Sequence, residues 1–403
     1  MKGIETTGSS NILNGFIPLC NAEVIDKLLA AKAIPVAKTT LDEFGMGGRG
    51  ETGHKGITYN PYGKERTRIV GGSSSGSASG VASGYVPFAV GSDTGDSIRK
   101  PASFAGLVGF KPTWGEISRF GLFAFMPTLD HVGFFTRSVS EARVLFEKTR
   151  GYDKKDATSV MNVPSKTEKE ATLKGKKVAV LEPIFALMKN KLLIKEFHNL
   201  VDKLRQAGTV VDFVPFDKNL LAAIFPTYFI LSCAEANVSN ACLTGIGFGN
   251  KEEGASYEEI VANTRGKGFS SRIKYRLMLG QYALKKENRN EYYDRAQKAR
   301  RLIVEAVDKV LENYDVIMLP AAPNHAPTVD KQSEPHSEIE NNFMAIANFG
   351  GNPSLTLPYF LDEGLPLGVN LTGKPFDDFN VLNIALKIEE ITGLYNLHAG
   401  LKS

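Results

Sequence analysis

The stretch from Gly71 to Pro101 reads GGSSSGSASGVASGYVPFAVGSDTGDSIRKP, and it places two Gly- and Ser-rich turns on either side of one apolar run. The first turn carries Ser73 and the second ends at Ser97. Glycine lets a backbone turn tightly and approach a ligand closely, and successive N–H groups in such a turn form a concave anion site. A nucleophilic serine needs donors of this kind beside it to stabilise an oxyanion. The pattern therefore predicts a serine hydrolase rather than a Gly/Ser linker, which would not explain the apolar run at Val86–Val90.

The composition is that of an ordinary soluble enzyme. The 403 residues are 42% hydrophobic and 23% charged, with a formal net charge of +4, which does not favour a general nucleic-acid binder. The cysteines Cys20, Cys233 and Cys242 are too few and too scattered for a disulfide framework or a zinc site, and free thiols suit the cytoplasm. The sequence contains no phosphate-binding loop. We therefore expect no cofactor and no metal in this chain.

Strands that alternate with helices predict an α/β layered sheet. Short apolar runs at Ile34–Ala37, Lys177–Leu181 and Val316–Leu319 predict strands. The segment Leu220–Asn313 is almost entirely helical in pattern, and Ser337–Ala347 predicts one further helix.

Three segments together resemble one known family. These are Gly71–Pro101, the run KPTWGEISRFGL at Lys111–Leu122, and GLPLGVNLTGKPFD at Gly364–Asp377. They are similar to the amidase-signature family of Ser–Ser–Lys hydrolases, along nearly all 403 residues. The resemblance implies a mixed central sheet covered by helices on both faces. It also implies one domain over residues 1–403 that lacks the family's N-terminal segment, with residues 220–313 as a helical insertion.

The resemblance assigns catalytic roles to both turns. Ser97 matches the nucleophile, and Ser73 matches the bridging serine, which sits on a cis peptide and relays the proton to a lysine. The oxyanion hole is assigned to the backbone N–H groups of Thr94, Gly95, Asp96 and Ser97. Supporting roles fall to Ser74, Asp93 and Arg99. Asp96 replaces a usual glycine, and we expect its carboxylate to pair with Arg99 or Lys100 and point outward, because an inward carboxylate would oppose the oxyanion.

The lysine of the triad is expected before Met1. In the family it lies in a Lys-Asp-Asn-like run, a short connection ahead of a segment like Gly3–Thr7. Lys2 is not followed by Asp-Asn, and Lys38 is interpreted as structural. Two explanations stay open: the start is a truncation or a wrongly chosen methionine, or the chain is short and poorly active.

Substrate contacts are assigned to three charged residues. Arg300 matches the arginine that holds the carboxylate of an amino acid amide, although a solvated helix face would explain it as well. Glu363, with Asp362 beside it, matches the acidic partner of the substrate ammonium, and a polar turn is the alternative.

The family branch that this chain resembles serves the tRNA-dependent amidotransferases, which convert Glu-tRNA(Gln) to Gln-tRNA(Gln). The resemblance implies glutamine as substrate and B and C subunits as partners. It implies ATP and Mg in the B subunit, which would also make most contacts to Glu-tRNA(Gln). We expect a cytoplasmic protein without a membrane partner. The alternatives are a free-standing amidase for another small amide and a catalytically impaired assembly subunit.

Overall fold

A computed structural model of the protein describes residues 1–63, 67–161, 171–329 and 343–399. The described strands form a mixed sheet in the order β1-β3-β2-β7-β8-β6-β4-β5. In chain order the strands are β1 (Ala89–Asp93), β2 (Val108–Lys111), β3 (His131–Thr136), β4 (Lys177–Leu181), β5 (Val210–Val214), β6 (Val316–Pro320), β7 (Ser354–Asp362) and β8 (Leu365–Gly373). Strands β4, β5 and β6 pair in parallel, and the remaining pairs are antiparallel.

Helices lie between these strands in the sequence. The described α-helices are α1 (Glu23–Ala30), α2 (Ser75–Ala82), α3 (Arg99–Phe104), α4 (Val139–Thr149), α5 (Glu182–Ala186), α6 (Lys191–Gln206), α7 (Lys218–Ser239), α8 (Tyr257–Gly268), α9 (Ser271–Leu284), α10 (Arg295–Asn313), α11 (Ile346–Phe349) and α12 (Asp378–Thr392). Part of the predicted helix Ser337–Ala347 lies outside the described residues, and its remainder forms a 3₁₀ turn at Phe343–Ala345 and the start of α11.

Both faces of the sheet are buried. Strand β4 shows this directly, because Val178 and Val180 belong to one apolar cluster while Ala179 and Leu181 belong to another. Successive side chains of a strand point to opposite faces, so a strand covered on both sides is apolar at every position. The predicted α/β fold, a mixed sheet with helices on both faces, is confirmed.

The long hairpin of β7 and β8 joins two halves of the sheet. Strand β7 pairs with β2 on the side that carries the serine turns, and β8 pairs with β6 on the other side. The hairpin turns at Glu363 and Gly364, which both have positive φ, at 49° and 81°. Gly364 suits such a turn because glycine adopts this conformation without steric cost.

The helices between β5 and β6 pack on one another through small and apolar residues. Helix α7 contacts both α9 and α10. A Cβ on Gly280 of α9 would lie 2.0 Å from the Cys233 carbonyl oxygen of α7, so only glycine permits this approach. By length and composition α7 could cross a membrane, but its Leu231 and Ala236 are buried in the apolar cluster that α9 and α10 share.

The predicted strand at Ile34–Ala37 is wrong. These residues adopt no regular secondary structure. Their apolar side chains do not enter the core, since Ile34 is 84% and Val36 73% exposed. A strand needs a neighbour for its backbone N–H and C=O groups, and the described residues offer none here.

Candidate active site

The two serine turns lie against each other. The Ser74 N–H donates to the Ser97 carbonyl oxygen at 3.3 Å. The Ser74 hydroxyl donates to the Ser92 carbonyl at 3.0 Å and accepts from the Ser92 N–H at 3.1 Å. Ser73 and Ser97 are only 1% and 3% exposed. The structure therefore brings Ser73, Ser74 and Ser97 into one buried site.

A buried carboxylate that the sequence analysis missed supports the first turn. The Gly72–Ser73 peptide bond is cis, as the resemblance implied for the bridging serine. The Asp42 N–H donates to the Ser73 carbonyl at 3.0 Å, and the Asp42 carboxylate accepts the N–H groups of the loop Gly50–Thr52. A Cβ on Gly72 would lie 2.2 Å from that carboxylate. Glycine is therefore required at this position.

The second turn is built around a buried ion pair between Asp93 and Arg99. The carboxylate of Asp93, at the end of β1, receives the Arg99 guanidinium at 2.9 and 3.1 Å and the Ile98 N–H at 2.9 Å. Burial by itself would raise the pKa of Asp93, but the charge and hydrogen bonds of Arg99 outweigh it and lower the pKa well below its usual range. The Arg99 guanidinium also binds the Gly95 carbonyl at 2.7 Å. The ion pair thus fixes the backbone on both sides of Asp96.

Two further contacts hold this turn in place. The Asn348 side chain of α11 donates to the Asp93 carbonyl and carboxylate at 3.1 and 2.9 Å. The Thr94 hydroxyl donates to Asp130 at 2.7 Å, and Asp130 accepts the N–H groups of Phe125 and Met126. Asn348 stands 255 residues from Asp93 in the chain, so no local sequence signal connects the two.

The carboxylate of Asp96 turns to Lys100 and not to Arg99. The two side chains form an ion pair across one turn, from the oxyanion segment to α3. The pairing with a neighbouring cation is as predicted. The ion pair is nevertheless buried, because the Asp96 side chain is only 8% exposed. Burial raises the pKa of Asp96, and Lys100 opposes that shift.

A cavity of about 240 Å³ adjoins the second turn and reaches Gly45, a neighbour of Ser73. Its lining includes Lys38, Gly45, Thr94 and Phe125, and a Cβ on Gly45 would lie 3.6 Å from the Ser73 hydroxyl oxygen. Partial burial lowers the pKa of Lys38. In the described part of the chain, no hydrogen bond joins this lysine to either serine. The described residues also contain no group of three or more histidine, cysteine or acidic side chains arranged to hold a metal ion.

Arg300 lies close to the second turn. On α10, its guanidinium donates to the Phe349 carbonyl at 2.9 and 3.2 Å and to the Thr128 hydroxyl at 3.2 Å. Phe349 is the residue after Asn348, and Asn348 donates a hydrogen bond to Asp93. Arg300 therefore binds the segment that supports the second turn. The side chain is half-buried and binds a second segment of the chain, and its role toward a substrate carboxylate stays a prediction.

Asp362 and Glu363 are at the tip of the β7–β8 hairpin instead. Asp362 lies 3.0 Å from the His325 ring nitrogen. Within the described ranges, neither acid hydrogen-bonds to a serine turn. The structure thus places both residues in a polar turn, and a role toward a substrate ammonium stays a prediction.

The sequence of this chain is similar to those of known amidases. A family model described as Amidase matches residues 1–382. The chain belongs to the amidase family. It is 39% identical over 402 residues to the A subunit of the glutamyl-tRNA(Gln) amidotransferase of Macrococcus caseolyticus, covering 98% of this chain and 82% of that protein. The corresponding protein of Staphylococcus haemolyticus is 38% identical, with 98% and 81% covered.

The fold of this chain is also similar to solved structures of such proteins. The crystal structure of the A subunit of glutamyl-tRNA(Gln) amidotransferase from Thermotoga maritima superposes with a TM-score of 0.81 at 34% identity, covering 97% of this chain and 80% of that one. An amidase structure superposes with a TM-score of 0.80 at 27% identity, with 98% and 82% covered. The predicted family is confirmed, and the protein is an amidase-type hydrolase.

Proposed function

We propose that this protein is the glutamine-hydrolysing subunit of a tRNA-dependent amidotransferase, and that it releases the ammonia that converts Glu-tRNA(Gln) to Gln-tRNA(Gln). The observation that carries the proposal is the pair of joined serine turns, in a chain whose relatives are amidotransferase A subunits. The buried Asp93–Arg99 pair supports it, because a nucleophile loses rate when its turn is loosely held.

The two turns supply the nucleophile, the first proton acceptor and the oxyanion donors of an acyl transfer. The Ser97 hydroxyl attacks the amide carbonyl carbon of glutamine, and its proton passes to Ser73. The carbonyl oxygen becomes an oxyanion that accepts hydrogen bonds from the backbone N–H groups of residues 94–97. The C–N bond then breaks, the leaving nitrogen takes up a proton, and ammonia departs from a Ser97 ester. Water hydrolyses that ester to glutamate and restores the serine.

The proton relay through Ser73 needs a base. In the family that the chain resembles, the base is a lysine, which accepts a proton only where its surroundings lower its pKa. The cavity beside Ser73 gives an amine room to approach that hydroxyl.

We assign the other steps to partners. A B subunit would bind ATP and Mg²⁺, activate Glu-tRNA(Gln) and receive the ammonia, and a small C subunit would complete the assembly in the cytoplasm. The proposal rests on the relatives and on a sequence that lacks a phosphate-binding loop.

Reconstitution tests the function. The chain is combined with candidate B and C subunits, Glu-tRNA(Gln), ATP and glutamine, and formation of Gln-tRNA(Gln) is measured with each component omitted in turn. We expect product only when the chain, glutamine and ATP are all present. Hydrolysis of glutamine or other small amides by the chain alone, with no amidation in the full mixture, would favour a free-standing amidase.

A further inference from the structure

One half-buried arginine has a buried guanidinium nitrogen without a hydrogen-bond partner. Arg276 lies on α9, and its Nη1 atom is buried and makes no hydrogen bond. No carboxylate in the described ranges lies within ion-pairing distance of its guanidinium. Its neighbours are aromatic: the Phe229 ring centre is 5.1 Å away and the Phe125 ring centre 6.0 Å away.

This arrangement destabilises the folded protein unless another group binds the charge. Leaving a buried charged donor unpaired costs free energy of desolvation. Contacts with ring faces offset part of this cost, but they do not satisfy an N–H group. A buried donor without a partner therefore indicates a group that the protein binds from solution.

The aromatic side chains around Arg276 lead toward the two serine turns. Tyr228, next to Phe229 on α7, packs so closely on the second turn that a Cβ on Gly95 would lie 2.9 Å from its ring. Phe125 lines the cavity next to Gly45, with a ring atom 4.0 Å from the corresponding Cβ position on that glycine. The guanidinium thus contacts two aromatic side chains that are each one residue removed from the serine site.

We propose that Arg276 determines specificity by binding the carboxylate of the amide substrate. The inference rests on the proposed function, in which glutamine carries a carboxylate remote from the amide that is cleaved. A guanidinium matches a carboxylate through two parallel hydrogen bonds. Arg300 already donates to Phe349 and Thr128, whereas Arg276 has a free donor. Arg276 is therefore a carboxylate contact in addition to the one assigned to Arg300.

The test separates carboxylate binding from folding. In the full chain with Ser97→Ala, glutamine and glutarate binding are measured by calorimetry for the parent, Arg276→Gln, Arg276→Lys and a surface control, Arg301→Gln. Arg301 is 82% exposed in its side chain and pairs with Glu305. With Ser97 intact, hydrolysis of glutamine and of butyramide, which lacks the carboxylate, is compared in the same variants.

We expect Arg276→Gln to weaken glutamine and glutarate binding about ten- to a hundredfold and to spare butyramide hydrolysis, with partial recovery in Arg276→Lys and no change in Arg301→Gln. Unchanged binding in Arg276→Gln, equal loss on both amides, or no binding of either carboxylate ligand by the parent would overturn the inference. If the parent binds glutamine through Arg276 but does not support amidation of Glu-tRNA(Gln), the proposed function fails and the role of Arg276 stands.

Discussion

The second serine turn and the helical segment α7–α10 are held by different kinds of contact. The turn is fixed by buried polar bonds: Asp93 binds Arg99, and Asn348 binds both. The helices pack through apolar and aromatic side chains, and they carry Arg276 and Arg300. The oxyanion donors are backbone groups and therefore depend on the geometry of the turn, whereas substrate recognition depends on single side chains. Substitutions should therefore separate the two regions.

The largest effect is expected at the buried ion pair. Arg99→Gln leaves the Asp93 carboxylate buried without its cation, and breaking such a pair typically costs about 3–5 kcal/mol of unfolding free energy. Urea denaturation of the variant measures this loss, with Arg301→Gln as an exposed control. If Arg99→Gln were as stable as the control, the polar network would not hold the turn.

An intermediate effect is expected at Arg300. Its loss should raise KM for glutamine about ten- to a hundredfold and lower kcat less, because a contact remote from the broken bond acts on ground and transition states alike. Steady-state kinetics on Arg300→Ala in the assembled protein, with glutamine or ammonia as donor, checks this. Equal losses with both donors would instead mean that its bonds to Phe349 and Thr128 are structural.

The sequence predicts some elements of the fold and not others. Lys177–Leu181 is a strand at the predicted bounds, and the predicted strand Val316–Leu319 lies within β6, because the apolar patterns of both are local. Helix α2 was not predicted, since its sequence SGSASGVA has little intrinsic helix preference. Small residues are needed there for packing: a Cβ on Gly76 would lie 2.6 Å from the Thr40 carbonyl oxygen.

The serine pair and its neighbouring supports Asp93 and Arg99 could be identified from the motif, but the distant supports could not. Asp42 and Asn348 act on the turns through contacts between distant parts of the chain. Arg276 likewise has no sequence signal, because its unpaired donor becomes apparent only when its neighbours are placed.

A small effect is expected at Asp96. Asp96→Gly in combination with Lys100→Gln removes the ion pair and leaves the backbone donors in place. The change in kcat should stay far below the about 10²–10³-fold loss that follows removal of an oxyanion donor. Glutamine hydrolysis by the double variant is the measurement. A loss as large as that of a missing donor would show that the Asp96 side chain helps to set the turn.

The smallest effect is a pH dependence remote from the site. Glu389 of α12 is buried, accepts the Val139 N–H at 2.8 Å and, through burial, has its pKa raised to about 7. The folded protein therefore binds its proton more tightly than the unfolded chain does, so this contribution to stability falls as pH rises from about 4.5 to about 7. Asp93 acts in the opposite sense, since its lowered pKa makes a contribution that is lost at acid pH. Melting temperatures of Glu389→Gln should vary less over pH 5–7 than those of the parent; an identical profile would refute this.

The role of Ser97 as nucleophile is tested most directly by Ser97→Ala in the protein assembled with its partner subunits. Gln-tRNA(Gln) formation is measured with glutamine and, separately, with ammonia, and Ser140→Ala, an exposed serine, is the control. We predict that Ser97→Ala abolishes the glutamine-dependent reaction and retains the ammonia-dependent one. Glutamine-dependent turnover within several-fold of the parent would contradict the assignment, and so would the loss of both reactions in a folded, assembled complex.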